Sequence, residues 1–494
     1  MKTPNRTQPL PPSILTIFGM SGNLAQTKLL PAIYHLLAKD LLPQDFSVLG
    51  VFRSSSKSLD HVLQQVEINL LRRHIDVDER ALRKLRSIIH PIIMDSTNQA
   101  DYTLLSQAIA AIDNQNDTPH NRLFYLAIPP DIFHNVIDCL RRAGLSQETT
   151  SYASRILVEK PFGTDYDSAK QLIKTMKQHV HERQIYRIDH YLAKENAQNI
   201  LTFRFSNPLF EGMWGKHAID HIQITAAESI GIDDRGSFYE NMGALRDFVQ
   251  SHLMQMMCLV TMERPQSLHS KQIHEQKLAL LNCVQPIAAD RVDTQTARGQ
   301  YKTYRHDAHS PKSNIETFAA VALEIDNPRW RGVPILLRTG KNLRAQKTDI
   351  KIVFRDRTDR DIPPNILTIR IQPQEGIAIH LAAKKPGFSD ELQHVAMRFS
   401  YQDSFEQDAP DAYERVLMDA IAGDQSLFAS SDEVLRSWQI LDAVVHAWQN
   451  SPDQPETYAA KTDGPLSAQA LAKRYGCEWF ADTADIVEPT VTIE

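Results

Sequence analysis

The strand, glycine turn and helix near the N-terminus most strongly limit what this chain can fold into. Residues 13–18 read SILTIF, a short apolar stretch typical of a buried strand. Gly19 and Gly22 follow it, and a helical pattern runs from Leu29 to Ala38. Gly19 permits a tight turn, and Gly22 lets the backbone approach a pyrophosphate at the helix N-terminus. The order predicts a dinucleotide-binding unit. The pattern G-x-x-G-x-L is weaker than G-x-G-x-x-G, so an ordinary strand-to-helix turn is the alternative.

The end of the next predicted strand bears on which dinucleotide binds. This strand covers residues 47–52 and leads into Arg53. A site for NAD places an acidic residue there for the ribose 2′-hydroxyl, whereas an arginine suits a 2′-phosphate. No acid occurs between residues 48 and 57, so the sequence favours NADP, with NAD as the weaker alternative. Arg53 lies further from Gly19 than the usual spacing of about 20 residues, so a surface arginine without a role is the competing interpretation.

Three further apolar stretches continue the alternation of strands and helices. They cover residues 89–94, 123–128 and 155–158, with helical patterns at 59–88 and 132–143. A β-α-β-α order predicts a parallel sheet. The first part of the chain is therefore predicted to be an α/β Rossmann-type dinucleotide-binding domain.

Two lysines stand near the predicted ligand-binding edge of this sheet. Lys160 follows the strand at 155–158, in the sequence EKPFG, where Pro161 keeps it extended and allows a cis peptide bond. This place suits contact with both a nicotinamide and a substrate. Lys28, in the first helical turns after Gly22, could add a cation near phosphate. A loop lysine without a role is the alternative for Lys160.

The stretch YRIDHYLAKE, residues 186–195, concentrates charged and polar side chains. Apolar periodicity resumes behind it, which predicts a helix that begins near His190. His190 and Lys194 would then be four residues apart on one helix face, close to Asp189. An imidazole, an ammonium and a carboxylate together suit an anionic ligand that carries hydroxyl groups. A solvated amphipathic helix is the alternative.

A second polar pair occurs in the predicted helix at residues 244–256. His252 follows Phe248 by four residues and lies on the apolar side, where a histidine is more often a satisfied core residue than a functional one. Asp247 precedes it by five residues, about 140° of helix rotation. We therefore expect Asp247 and His252 to lie near one another without sharing a face, and to take separate roles around one ligand.

The second half of the chain has a different pattern. Its strand-like stretches cover residues 316–325, 333–337, 350–354, 366–372 and 376–381. Few of the connections suit a βαβ return, so we expect an α+β domain with a large, mainly antiparallel sheet. The predicted domains are 1–188 and 189–494. Residues 458–494 are expected to form an ordered helix and a loose tail.

Length and composition limit the remaining possibilities. A chain of 494 residues suggests two or three domains. The net charge of -6 gives no sign of nucleic-acid binding. The N-terminus lacks the apolar region of a signal peptide, and the most apolar run, residues 254–262, is too short to cross a bilayer. The four cysteines are widely separated and form no C-x-x-C pair. They predict a reducing compartment, by default the cytoplasm, and no structural zinc site.

Several motifs together resemble one enzyme family. They are GMSGNLAQTKLLPAIYHL from Gly19, LAIPP from Leu126, EKPFG from Glu159, RIDHYLAKE from Arg187, the segment 242–263, RGVPILLRTGK from Arg331 and PDAYERVLMDAIAGD from Pro410. In this order they are similar to glucose-6-phosphate dehydrogenases, over nearly the whole chain. The combination of EKPFG with RIDHYLAKE is highly specific.

The resemblance implies an activity and a role for each matching residue. The C1 hydroxyl of glucose 6-phosphate is oxidised to a lactone and hydride passes to NADP, the first oxidative step of the pentose phosphate pathway. His252 is the implied general base and Asp189 the carboxylate that orients it. The implied substrate contacts are Lys160, His190, Tyr191, Lys194, Glu228, Asp247, Lys341, Gln346 and Gln372. The implied cofactor contacts are Gly19, Ser21, Gly22, Leu24, Lys28, Arg53 and Lys160. No metal is implied.

The chain departs from the family pattern at several positions. Asn23 stands where aspartate is common, and Ala193 where glycine is common. Gln346 stands where the family commonly has a second lysine or arginine near the sugar. This predicts a comparatively high KM for the sugar phosphate, unless Arg344 or Lys347 compensates.

The resemblance also implies an assembly. Family members form dimers, and sometimes tetramers, packed through the large sheet. Some bind a second, structural NADP, but His380 replaces a cationic residue of that site, so we do not expect it here. The alternative to the enzyme is a catalytically silent NADP-binding or assembly protein with the same fold.

Overall fold

The computed structural model describes residues 9–54, 58–356, 363–405 and 409–480. Within these residues the chain forms one sheet of seven strands and one of nine. Helices cover both faces of the first sheet, and buried apolar clusters lie on both faces of each sheet. The arrangement confirms the predicted Rossmann-type domain followed by an α+β domain.

The first sheet is the predicted parallel sheet. Its parallel strands are β1 (Ser13–Phe18), β2 (Phe46–Phe52), β3 (Ile89–Ile93), β4 (Asn121–Leu126), β5 (Ser154–Val158) and β6 (Ile185–Ile188). They lie in the order β6-β5-β4-β1-β2-β3. In this order the direction of winding reverses between β1 and β4, which is where doubly wound sheets bind ligands.

The central strands of this sheet are buried on both sides. Along β1, Leu15 and Ile17 pack into one apolar cluster, whereas Ile14 and Phe18 pack into another on the opposite face. This explains why the strand reads as a continuous apolar run rather than an alternating one. The covering helices are a π-helix, π1 (Ala25–Leu29), and α1 (Leu30–Ala38), α2 (Leu59–Arg72), α3 (Glu79–Ile88), α4 (Tyr102–Asn116), α5 (Phe133–Arg142) and α6 (Tyr166–Lys177).

The single helical pattern expected at residues 59–88 is in fact two helices. The backbone turns after Arg72, and His74 adopts a φ of 58°. The side chain of Asp78 then accepts the N–H of Arg80 at 2.8 Å and caps the new helix α3. Aspartate is a favoured capping residue. Asp78 is surrounded by other charged side chains, however, so the sequence alone does not mark it as the start of a helix.

The second sheet is mainly antiparallel, as predicted. Its strands are β7 (Ile219–Ala227), β8 (Thr296–Tyr301), β9 (Phe318–Leu323), β10 (Ile335–Gly340), β11 (Lys347–Phe354), β12 (Ile366–Gln372), β13 (Gly376–Lys384), β14 (Leu392–Ser400) and β16 (Glu456–Tyr458). Their order is β14-β13-β12-β11-β7-β10-β9-β8-β16. Only the pairs β7–β10 and β8–β16 are parallel within the described residues.

A helical layer packs on one face of this sheet. Its centre is a second π-helix, π2 (Leu245–Leu253), which continues as α10 (Met254–Thr261) and is buried along most of its length. The other helices of this part of the chain are α7 (Glu195–Ser206), α8 (Pro208–Glu211), α9 (Gly236–Ala244), α11 (Ser270–Cys283), α12 (Val292–Gln295), α13 (Tyr304–Asp307), α14 (Tyr401–Ser404), α15 (Ala412–Ala422), α16 (Ser431–Asn450) and α17 (Leu466–Arg474).

One part of the second half returns to the first sheet. The short strand β15 (Phe428–Ala429) pairs antiparallel with β6 and becomes its outer neighbour. Arg155 of β5 donates to the carbonyl of Ala420 at 2.7 Å, near the end of α15. The first sheet is therefore completed by a late segment of the chain. The predicted domain boundary at residue 188 stays a prediction.

Two expectations concern the chain ends and membranes. The predicted C-terminal helix is α17, whereas the predicted loose tail, residues 481–494, lies outside the described residues. Across the part of the chain that the structure describes, no helix has both the length and the apolar content needed to span a bilayer.

The turn after β1 leaves no room for a side chain. Gly19 has a φ of 85°, and a Cβ atom there would lie 2.3 Å from the carbonyl oxygen of Ala127. Gly144 also has a positive φ, 71°, but no atom lies within 4 Å of its Cβ position. We expect Gly144→Ala to cost about 1 kcal/mol of backbone strain, and Gly19→Ala to lower the thermal unfolding midpoint clearly further. Equal midpoints for the two variants would show that the close approach to Ala127 is unimportant.

Candidate active site

A buried carboxylate and imidazole form the centre of the site. Asp189 directly follows β6, and its Oδ1 accepts a hydrogen bond from Nδ1 of His252 in π2 at 2.6 Å. Both side chains are buried. Burial alone would raise the pKa of Asp189, but the adjacent His252 lowers it below its ordinary value. An ionised Asp189 fixes the tautomer of His252, with the proton on Nδ1 and the lone pair on Nε2.

The segment after Asp189 is not the predicted helix. Oδ1 of Asp189 accepts the N–H of Tyr191 at 2.9 Å, and the backbone carbonyl of Asp189 accepts the N–H of Leu192 at 3.0 Å. The aspartate side chain thus competes with helix formation, as such side chains do near turns. The helix begins only at Glu195, so the expectation that His190 and Lys194 share a helix face was wrong. The turn nevertheless directs both toward one cleft.

Lys160 touches the imidazole and its neighbour in π2. Its Nζ donates to Nε2 of His252 at 2.7 Å and to the backbone oxygen and Oδ1 of Asp247 at 2.6 and 3.1 Å. In a π-helix the hydrogen bonds join residues five apart, and π2 is wound this way from Leu245 to Leu253, so Asp247 and His252 lie closer around the helix axis than in an α-helix. The separation of about 140° expected for an α-helix therefore does not apply, whereas the two residues do lie near one another, as expected, at Lys160.

Aromatic rings surround the imidazole. The ring centroids of Tyr191, His190 and Phe248 lie 4.4, 4.7 and 5.3 Å from that of His252. Burial lowers the pKa of His252, Asp189 opposes this effect, and the ammonium of Lys160 adds to it. The imidazole is therefore neutral at neutral pH and able to accept a proton. Burial also lowers the pKa of His190 well below its ordinary value.

A second polar cluster lies beside these rings. Nζ of Lys194 contacts Oε1 of Gln372. Nε2 of Gln372 donates to the hydroxyl of Tyr191 at 3.2 Å and to that of Thr348 at 3.2 Å. Burial lowers the pKa of Lys194 to about 8, and the nearby charge of Lys28 contributes. These cations and hydrogen-bond donors form a site suited to a phosphate group.

The opposite side of the cleft carries a lysine and a carboxylate. Nζ of Lys341 contacts the carboxylate of Glu228. Gln346 is exposed on the wall of the cleft, with Oε1 3.4 Å from the hydroxyl of Ser229. Two cations nearby are held elsewhere: Lys347 pairs with Asp349 at 3.2 Å, and Arg344 with Asp463 at 3.4 Å. The geometry does not favour compensation for Gln346 by either one.

One cleft of about 1070 Å³ brings most of the predicted residues together. Its wall includes Lys28, Lys160, His190, Tyr191, Lys194, Glu228, Asp247, His252, Gln346 and Gln372. Asp189 and Lys341 lie behind this wall, against His252 and Glu228. The predicted cofactor residues Gly19, Ser21, Gly22, Leu24 and Arg53 lie outside it, around the turn after β1 and the end of β2.

The cleft also contains residues that the sequence reasoning missed. Glu159 is half-buried at its edge, and the hydroxyl of Tyr125 donates to its carboxylate at 2.5 Å. Burial raises the pKa of Glu159, whereas Tyr125 and Tyr413 oppose this effect. The position of Glu159 next to Lys160 could have indicated it. Tyr413 comes from α15, far along the chain. It stands in the motif PDAYERVLMDAIAGD, to which no role was assigned.

The turn after β1 fits a dinucleotide. Gly19 approaches the backbone at Ala127 so closely that a Cβ would fill the gap, and Gly22 donates its N–H to the carbonyl of Gly19 at 2.9 Å. The turn lies where the strand order reverses, and Arg53 is exposed at the end of the neighbouring strand. Such an edge accepts a pyrophosphate, with the arginine available for a 2′-phosphate.

Comparisons with known proteins agree over nearly the whole chain. Residues 16–199 match the model "Glucose-6-phosphate dehydrogenase, NAD binding domain", and residues 201–480 match the model of its C-terminal domain. The chain is 39% identical to glucose-6-phosphate 1-dehydrogenase of Chlamydia pneumoniae, over 96% of this chain and 97% of that protein. It is 36% identical to that of Bacillus subtilis strain 168, over 96% and 99%. The chain belongs to the glucose-6-phosphate dehydrogenase family.

Solved structures of glucose-6-phosphate dehydrogenases have the same fold. One, in complex with its substrate glucose 6-phosphate, matches with a TM-score of 0.88 and 33% identity, over 96% of this chain and 100% of that one. The enzyme from Mycobacterium avium matches with a TM-score of 0.81 and 30% identity, over 95% and 99%. The predicted family, fold and enzyme class, an oxidoreductase of sugar-phosphate metabolism that uses NADP, are confirmed. The alternative of a catalytically silent protein receives no support.

The described residues contain no group of three histidine, cysteine, aspartate or glutamate side chains arranged to hold a metal ion.

The contact between His252 and Asp189 leads to a prediction for the base. We expect His252→Asn to lower kcat by about 10² to 10⁴-fold, the usual contribution of a general base. KM should stay within a few fold, because the lost interaction belongs to the transition state. In the native enzyme the acidic limb of kcat/KM should lie below pH about 6.5, the ordinary pKa of histidine, because burial favours neutral His252.

A matched control is available in the same domain. His274 also bonds to a buried carboxylate, with Nδ1 2.7 Å from Oε1 of Glu433, but lies outside the cleft. His274→Asn should keep kcat within a few fold. Near-normal turnover of His252→Asn would reject the assignment of His252 as the general base.

Proposed function

We propose that the cleft holds glucose 6-phosphate beside NADP and oxidises the sugar at C1, with His252 as general base. The observation that supports this most is the chain of contacts from Asp189 through His252 to Lys160. It places a neutral imidazole, a fixed carboxylate and a cation at the carboxyl edge of the cofactor-binding sheet. A base with an orienting partner is what removal of a hydroxyl proton requires.

His252 accepts the proton of the C1 hydroxyl on Nε2. Asp189 keeps Nδ1 protonated and stabilises the imidazolium that forms, so the carboxylate itself need not take up a proton. In the structure the ammonium of Lys160 lies where a substrate hydroxyl would approach Nε2 of His252. When the substrate hydroxyl takes this place, Lys160 is displaced toward Asp247 and the substrate oxygen, where its charge favours loss of the proton. Bound NADP supplies a nicotinamide that accepts the hydride.

The phosphate end of the substrate is assigned to the polar cluster beside the rings. His190, Tyr191 and Lys194 surround it, and Lys28 lies close enough to affect the pKa of Lys194. Lys194, with a pKa of about 8, is mostly charged at neutral pH. The sugar hydroxyls are assigned to Glu228, Asp247, Lys341 and Gln372, which offer both donors and acceptors, with Gln346 nearby.

The cofactor phosphates are assigned to the turn after β1. Gly19, Ser21, Gly22 and Leu24 form this turn and the start of π1. Arg53 is assigned to the 2′-phosphate, and Lys160 borders both ligands. Lys28 was expected among these contacts. Its place in the same cleft as Lys194 favours the substrate phosphate instead.

We also propose a dimer or tetramer that packs through the second sheet. The outer strand β14 exposes Met397 and Phe399, and Phe388 precedes it with its ring fully exposed. Such a group of exposed apolar side chains at a sheet edge is typical of an interface. Light scattering that gives the mass of one chain at micromolar concentration would contradict this. The four unpaired cysteines favour a reducing compartment, which we take to be the cytoplasm.

The activity and the cofactor preference can be tested in one assay. Purified enzyme with glucose 6-phosphate should increase absorbance at 340 nm with NADP, and more weakly with NAD. Arg53→Ala should raise KM for NADP by roughly tenfold or more, because a charge-assisted bond to the 2′-phosphate is worth about 1.5–3 kcal/mol. KM for NAD should change little. Arg83→Ala, on the surface of α3, is the matched control.

Two results would contradict this assignment. No absorbance change with either cofactor would reject the enzyme activity itself. Equal losses for NADP and NAD in Arg53→Ala would instead leave the activity intact and remove Arg53 from the 2′-phosphate.

The exposed position of Gln346 leads to a further prediction. Gln346→Lys should lower KM for glucose 6-phosphate by up to about fivefold, since an exposed ion pair contributes at most about 1 kcal/mol. The effect should weaken as salt is added. Gln285→Lys adds the same charge at an exposed position outside the cleft and should leave KM unchanged. An unchanged KM for Gln346→Lys would reject the expectation of a high native KM.

A further inference from the structure

A carboxylate from outside the helix holds the N-terminal end of π2. Glu316 lies just before β9, and its Oε1 accepts the backbone N–H of Leu245 at 3.0 Å. Its backbone carbonyl accepts the N–H of Ala244 at 3.0 Å. The side chain is only 3% exposed. Because the first N–H groups of a helix lack partners within the helix, Glu316 supplies the acceptor at the point where π2 begins.

The residue before this point makes room for the carboxylate. Gly243 has a φ of 64°, which separates α9 from π2. A Cβ atom at Gly243 would lie 2.3 Å from Oε1 of Glu316. The kink and the carboxylate therefore fit together, and they determine the residue at which the helical winding starts.

Arg246 connects the same point to the loop that carries Lys160. Its side chain is buried, and its Nε donates to the backbone oxygen of Thr164 at 2.8 Å. Thr164 follows Lys160 by four residues. Burial raises the pKa of Glu316, and the charge of Arg246 opposes this rise. Three parts of the chain thus meet at the start of π2: the residue before β9, the helix itself and the Lys160 loop.

The start of π2 determines which side chains face Lys160. Asp247 and His252 are five residues apart and meet Lys160 together in a helix whose hydrogen bonds join residues five apart. If the helix began one residue later or returned to α-helical winding, one of the two would rotate away. We infer that Glu316 is a positioning residue, which holds Asp247 and His252 against Lys160 by binding the N–H of Leu245.

Three substitutions separate this role from others. Glu316→Gln keeps the length of the side chain and an oxygen that accepts the N–H of Leu245, so kcat should stay within about threefold of native. Glu316→Asp keeps the charge but is one methylene too short, and Glu316→Ala removes the acceptor. Both should lower kcat by roughly tenfold to 10²-fold, the cost of a misplacement of about 1 Å. KM for the sugar phosphate should rise as well, because Asp247 also faces the sugar, whereas KM for NADP should stay within about threefold.

The pH profile distinguishes positioning from a loss of folded protein. The groups that face His252 are Asp189, His190, Lys160, Asp247 and the hydroxyl-bearing ring of Tyr191. Asp189 is the one that raises the pKa of His252 most. In Glu316→Asp a displaced His252 loosens its contacts with both Asp189, which raises its pKa, and Lys160, which lowers it. Asp189 has the larger effect, so the acidic limb of kcat/KM should move to lower pH. A mere loss of folded enzyme would reduce the rate equally at every pH.

A matched control removes a similar cap elsewhere. Glu456 accepts the N–H groups of Leu466 and Ser467 at 2.9 Å each, at the start of α17. Glu456→Ala should lower the thermal midpoint while kcat and the acidic limb stay native. If Glu316→Ala does not fold, the Asp and Gln variants decide, because both keep a polar group in the buried position.

The inference rests on the proposed role of His252 as general base. If that role were wrong, His252→Asn would show near-normal turnover, a result separate from the Glu316 variants. Native kcat and an unshifted limb in Glu316→Asp would overturn the inference while the proposed function stands. A Gln variant as slow as the Asp variant would also overturn it, because charge rather than the bond to Leu245 would then matter.

Discussion

The site depends on one buried hydrogen bond, between the carboxylate of Asp189 and the imidazole of His252. It joins the end of the cofactor-binding sheet to the helix at the centre of the second domain. Both side chains are buried, and a buried carboxylate that lacks a partner lowers stability by several kcal/mol. The bond keeps Asp189 charged and His252 in one tautomer, and it places the proton-accepting nitrogen toward Lys160.

Much of the fold could be predicted because its determinants are local. The strands β1 and β12 were predicted at their observed bounds, and β2 and β5 within one residue, since each is a compact apolar run. The change from a parallel to a mainly antiparallel sheet could be predicted because few connections in the second half of the chain suit a βαβ unit. The site residues came mainly from the resemblance, and the structure brings most of them to one cleft.

The predictions that were wrong depend on side-chain hydrogen bonds and on contacts between residues far apart in the sequence. A helix was expected to begin near His190, but the carboxylate of Asp189 takes the backbone N–H of Tyr191. The winding of π2 could not be predicted from spacing, because the apolar pattern of residues 244–256 reads equally as an ordinary α-helix. Tyr413 reaches the cleft from α15 through tertiary packing alone.

The late return of the chain to β6 has a consequence for biosynthesis. Gln425 donates to the carbonyl of Ile185, 240 residues earlier, and β15 follows it. At a translation rate of about 5–20 residues per second, β6 would wait about 10–50 s for its outer neighbour. During that time it presents unpaired backbone groups at a sheet edge, a template for association with other chains. The first sheet therefore gains its outer strand only after residues 428–429 have left the ribosome.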